Sequence, residues 1–165
     1  MSNTAKAKSH PQSHTQPFKG TKLSPRQGIP AGLFAGVGMI VIWLGAAQIW
    51  GPGAITLLLS IGGVLVPGEL SGTIVAGLVI HFAIAVGLGL LFAASLDRLN
   101  SMDTLIVSTF YGFTIWVVSI LILRHWIRIE AIHMSRSWWG LFVFLFFGIS
   151  LGVYANRFGQ TPSNS

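Results

Sequence analysis

The chain has 165 residues, 52% hydrophobic and 8% charged, with a mean hydropathy of +0.71 and a net charge of +6. A soluble domain carries about 25% charged residues, so there is too little polar surface here to wet a folded globule. The absence of cysteine excludes a disulfide framework, an iron–sulfur centre, a thiolate zinc site and a lipid-anchored cysteine.

Residues 1–28 are rich in Ser, Thr, Gln, Lys, Pro and His, with Phe18 and Leu23 the only bulky apolar side chains. Such a stretch cannot bury enough surface to offset its ordering entropy, and it reads as a disordered basic tail. Lys6, Lys8, Lys19, Lys22 and Arg26 all fall in it, with no acidic residue. A basic tail can mark nucleic-acid binding. Here it abuts a long apolar run, which makes it a topological signal that holds the N-terminus in the cytoplasm, with some attraction to anionic headgroups. No nucleic-acid partner is expected. The small residues Gly45, Ala46 and Ala47 follow an apolar run as in a cleaved signal peptide. The polar tail and the run are both too long for one, so this reads as an uncleaved span.

Four apolar runs follow, at about 29–50, 72–96, 104–123 and 138–154. Each approaches or exceeds the ~20 residues a helix needs to cross ~30 Å of hydrocarbon. Short of the closing Tyr154, the ionisable side chains inside them are His81 and Tyr111. The first run carries Gly32 and Gly36, with Ala31 and Ala35 beside them, the spacing that lets another helix approach closely. Trp50 at its end suits an interfacial anchor.

Residues 53–67 form a shorter apolar segment between Pro52 and Pro67. As a helix its core, 54–66, reaches roughly 20 Å and falls short of spanning. It is expected either to lie in the interface or to enter the membrane and return. Charge counting bears on this choice. With four spans, Lys6, Lys8, Lys19, Lys22, Arg26, Arg98 and Arg157 lie inside, and Arg124, Arg128 and Arg136 outside. With five spans the arginine-rich loop moves inside, which the positive-inside rule prefers slightly. Length weighs more, and four spans are expected.

In the second run Gly77, His81, Ala85 and Gly89 recur every four residues and share one helical face. Three are small, so the face is expected to press on another helix with His81 in the seam. An ionisable side chain at that depth is a functional-site candidate by default. The plainer expectation is a neutral imidazole hydrogen-bonded across helices, to Tyr111, Ser108 or Thr114. The sharper one is an axial ligand to haem or chlorophyll, the small neighbours leaving room for a flat macrocycle. A proton relay lacks a carboxylate partner, because Glu69, Asp97, Asp103 and Glu130 all lie in loops or at span ends. His125, His133 and Glu130 do not have the spacing of a known zinc site.

The third run carries Ser108, Gly112 and Trp116 at four-residue spacing, and its helix is expected to continue amphipathically through residues 124–130. Ser101 or Asp103 suits its N-cap. The fourth run opens on Trp138 and Trp139, is rich in phenylalanine, and ends with Gly148 and Gly152 before a polar tail, 157–165. No nucleophile motif, phosphate loop or metalloprotease helix is present, so no enzyme is expected.

The order of features resembles small four-span bacterial membrane proteins of the YagU-like kind. The residues that carry the likeness are 32–36 at the opening of the first run, His81 with Gly87 and Gly89, and Tyr111, Gly112 and Trp116. The resemblance implies the fold and a bacterial inner membrane, and brings no catalytic residues. The expectation is therefore an all-α membrane protein, a bundle of four transmembrane helices plus one short re-entrant or interfacial segment. It is expected to act as an accessory subunit or a small oligomeric transport-related component, meeting lipid and other subunits or copies of itself. A haem- or chlorophyll-binding subunit built on His81 is the alternative.

Overall fold

The computed structural model describes residues 20–50, 53–63, 70–96, 99–123 and 138–159. They form five helices: α1 (Pro25–Trp50), α2 (Ala54–Gly62), α3 (Leu70–Ser95), α4 (Ser101–Val118), which runs on into a π-helical turn at Ser119–Leu123, and α5 (Trp138–Phe158). Among the described residues there is no strand, and Thr21 and Leu99 form an isolated antiparallel bridge. α1, α3, α4 and α5 are each long and apolar enough to cross a membrane. The protein is an all-α bundle and an integral, multi-pass membrane protein.

The packing is what lipid, not water, selects. Side chains pointing outward are bulky: Val41, Ile49, Val79, Leu91, Phe110 and Leu121 are all exposed. Those pointing inward are often small, with Ala31, Ala35, Ala47 and Ala155 fully covered. Lipid tails are as apolar as leucine, so helices gain from association chiefly where small residues let backbones meet. Around that interior α1 packs on α3 and on α5, and α5 packs on α4. Phe92, Phe147, Leu151 and Val143 fill the centre.

At nine residues α2 is about 14 Å long and too short to span. It is reached through Gly53, whose φ of +97° suits only glycine. It crosses the first turns of α3, with Gly62 of α2 against the carbonyl of Thr73, and it buries Leu57 beside Ala47. Trp50 and Trp139 stack at 4.2 Å at this end of the bundle, as the paired aromatics of a membrane interface would.

The opposite end departs from the sequence reading. Residues 20–28 were expected to belong to the disordered tail, yet α1 begins at Pro25 and Leu23 is buried. The cause is local. Ser24 donates its backbone N–H to Gln27 Oε1 at 2.8 Å, and Gln27 returns a backbone N–H to the Ser24 carbonyl at 2.9 Å. This is the reciprocal start of a helix, with Pro25 at the first position, where its missing N–H costs nothing. Residues 1–19 lie outside the described residues, as do the expected helical continuation at 124–130 and most of the final tail. α4 is capped by Asn100, not by Ser101 or Asp103. Asn100 Oδ1 accepts from the Asp103 backbone N–H at 2.8 Å, and its Nδ2 donates to the Asp103 carboxylate at 2.6 Å.

Candidate functional site

The face of α3 that holds Gly77, His81, Ala85 and Gly89 is covered by two different helices in succession. Towards the C-terminal end of α3, α1 lies on it. Gly89 meets the Gly28 carbonyl and Gly32, Gly32 meets the Ala85 carbonyl, and a Cβ added at Gly36 would sit 2.7 Å from Ala85 Cβ. Contacts run from Gly28 near Gly89 to Gly36 near Ala85, so the two helices are antiparallel. Towards the N-terminal end α2 takes over, and a Cβ at Gly77 would lie 2.6 Å from the Leu58 carbonyl. Periodicity tells which residues share a face, whereas which helix covers each part follows from where α1 ends.

His81 stands where one covering helix gives way to the other. It is 7% exposed, and its Nε2 lies 3.0 Å from the Gly36 carbonyl. A carbonyl only accepts, so Nε2 carries a proton and donates it to this bond. The partner is thus a backbone group on α1. The side chains considered as partners from sequence are engaged elsewhere. Tyr111 Oη donates to the Leu88 carbonyl at 2.8 Å, Ser108 Oγ to Leu105 at 3.0 Å and Thr114 Oγ1 to Phe110 at 2.9 Å.

An axial-ligand role would have to use the other ring nitrogen, Nδ1. Nε2 is bonded to Gly36, and the small neighbours Gly77 and Gly89, expected to leave room for a macrocycle, are covered by helix backbone. Among the described residues no cluster of three or more His, Asp or Glu side chains could hold a metal ion. His125, His133 and Glu130 lie outside the described residues.

The remaining small residues form a second seam. Gly112 of α4 meets the Phe144 carbonyl and Gly148 of α5, Gly148 meets the Ser108 carbonyl, and Gly152 meets the Ser108 side chain. Buried hydroxyls on this side also turn to main-chain carbonyls, Thr104 Oγ1 to Asn100 at 2.8 Å and Ser119 Oγ to Ile115 at 2.8 Å. Such local bonds satisfy the hydroxyl's one donor at membrane depth and leave it only acceptor capacity.

Sequence reasoning missed the polar clasp at the end opposite Trp50. Thr21 exchanges backbone bonds with Leu99 at 2.7 and 3.3 Å, and its hydroxyl donates to Asn156 Oδ1 at 3.4 Å. Asn156 Nδ2 donates to the Ser101 carbonyl at 2.9 Å, and Gln27 Nε2 to the Phe158 carbonyl at 2.8 Å. The segment before α1, the α3–α4 connection and the end of α5 are tied together there. The signal was the Ser24-Pro25-Arg26-Gln27 pattern, which composition outweighed.

No known protein family, curated protein or solved structure matches the chain.

Proposed function

We propose that the protein is a non-catalytic accessory subunit of a membrane assembly, seated in a bacterial inner membrane with its N-terminus in the cytoplasm. The observation that carries this reading is the fate of the interior polar groups. Five of them, His81, Tyr111, Thr104, Ser108 and Ser119, each donate to a main-chain carbonyl, and the buried Ser150 faces an apolar groove between α1 and α5. A conduction path or an acid–base site needs side chains that are buried and still available.

Orientation follows from charge. Lys22, Arg26 and Arg157 lie at the clasp end of the bundle, and the sequence places Lys6, Lys8, Lys19 and Arg98 beside the same segments. That end faces the cytoplasm under the positive-inside rule. The small-residue faces at Gly28, Gly32, Gly36, Gly77, Gly89, Gly112, Gly148 and Gly152 are spent within the single chain, so association with other subunits uses mainly the bulky outer faces. This favours the accessory role over a transport-related oligomer assembled through glycine seams.

Two measurements test the reading together. Proteoliposomes of the purified chain should be no leakier to ions and small solutes than protein-free vesicles. Cross-linking in native membranes should carry the 17.7 kDa chain into a larger complex with other polypeptides. Selective flux or turnover by the chain alone would overturn it.

A further inference from the structure

The α1–α5 side of the bundle carries a groove that the interior packing leaves open. It is lined by Leu33, Phe34, Val37 and Gly38 from α1 and by Phe146 and Ser150 from α5, with a volume of about 370 Å³. The Phe146 ring lies across Gly38 and closes one end, since a Cβ there would be 2.7 Å from Phe146 Cε1. Phe34 and Tyr154, with ring centroids 5.9 Å apart, flank the other end.

Helical spacing extends both walls to a cation. On α1, steps of three and four residues lead from Val37 through Leu33 and Pro30 to Arg26. On α5 they lead from Phe146 through Ser150 and Val153 to Arg157. Both arginines are exposed, and the helices are joined at that level by the bond from Gln27 to the Phe158 carbonyl. Asp103, the one acidic side chain among the described residues, is turned to Asn100 at the start of α4. From Arg26 to Gly38 the rise is about 18 Å, and from Phe146 to Arg157 about 16 Å. Half of a ~30 Å hydrocarbon core is ~15 Å. With the guanidinium groups at headgroup level, the groove therefore ends near the bilayer midplane.

We propose that this groove is a binding site for one anionic phospholipid of the clasp-side leaflet, its acyl chain lying between Val37 and Ser150 and its phosphate between Arg26 and Arg157. A guanidinium pairs with phosphate oxygens through two parallel N–H donors, which fixes position as well as charge. A transmembrane helix is ~10 Å across and would rest on the rim without filling the space. An alkyl chain enters it.

The test uses the full chain in mild detergent. Native mass spectrometry with added phosphatidylglycerol or phosphatidylcholine of matched chains reads how many lipids are retained. A phosphatidylglycerol with a photoactivatable acyl chain reads where they sit. Wild type should retain phosphatidylglycerol preferentially, and labelling should fall on residues 33–38 and 146–150. The Arg26→Gln, Arg157→Gln double variant should lose about tenfold or more of that preference, with phosphatidylcholine, whose phosphate is offset by its own ammonium, losing less retention than phosphatidylglycerol. Val37→Trp, at an outward position that leaves the helix seams alone, should lower retention of both lipids. Equal retention of the two lipids by wild type, an unaltered preference in the arginine variant, labelling spread evenly around the bundle, or cross-linking of Val37 to a partner helix in native membranes would each overturn the proposal.

Discussion

The seam between α1 and α3 and the one between α3 and α4 are built from opposite materials. Between α1 and α3, backbone meets backbone at Gly28, Gly32, Gly36, Ala85 and Gly89. Between α3 and α4, neighbours in sequence, the helices barely touch. Rings span the distance there, with Phe92 and Tyr111 centroids 5.4 Å apart and one bond from Tyr111 to the Leu88 carbonyl. The first seam derives its strength from the absence of side chains and the second from their length. In lipid, where burial of apolar surface drives little, the close seam collects many dispersion contacts and the wide one depends on a few groups. The two should therefore respond to substitution in different ways.

The largest effect is expected from adding bulk to the close seam. Gly89→Leu has backbone of Gly28 and Gly32 directly in its way, and backbone cannot rotate aside. Loss of about 3 kcal/mol or more is expected, read as a collapse of the thermal transition in detergent or as failure to form the bundle. A Gly89→Leu protein of unchanged stability would show that the helices are not held at this distance.

Next comes the clasp. Removing residues 1–19 leaves every described clasp contact in place and should not shift the transition. Removing residues 1–24 takes away Leu23, the Thr21–Leu99 bridge and the backbone bond that starts α1. That should cost about 2 kcal/mol. Equal stability of the two truncations would mean that the segment before α1 contributes nothing.

Tyr111→Phe keeps the ring and removes the bond to Leu88, so it tests the wide seam with little change of shape. A loss of about 0.6 kcal/mol is expected, in line with interhelical hydrogen bonds in membranes generally. A loss as large as that of Gly89→Leu would reverse the contrast between the seams. The smallest effect belongs to Gly87, where an added Cβ meets nothing within 4 Å. Gly87→Ala should be neutral or slightly stabilising through better helix propensity, and clear destabilisation would reveal a contact on that face.

The extent to which this fold can be read from sequence follows the same division. The four spans were legible because length and hydropathy depend on composition alone. The shared face of Gly77, His81, Ala85 and Gly89 was legible because helical periodicity is local. The partner of His81 was not, because it is the carbonyl of Gly36, and a backbone acceptor leaves no mark in a pattern of side chains. Nor was the handover of that face from α1 to α2, which depends on the turn at Gly53. The clasp was legible in principle through Ser24, Pro25 and Gln27, but the polar composition around them pointed to disorder. Asn100 as the cap of α4 was one residue from the expected position, which is the usual uncertainty of a helix end.

His81 joins the seam to the question of function, and one experiment addresses both. Wild-type protein and His81→Leu would be purified in mild detergent, and mass, absorption spectrum and thermal transition read together. With the imidazole acting as a clamp on the Gly36 carbonyl, both proteins should be colourless and equal in mass, and the variant should lose about 1 kcal/mol of stability. A visible absorption band in the wild type that disappears in His81→Leu would contradict this account and make His81 a cofactor ligand.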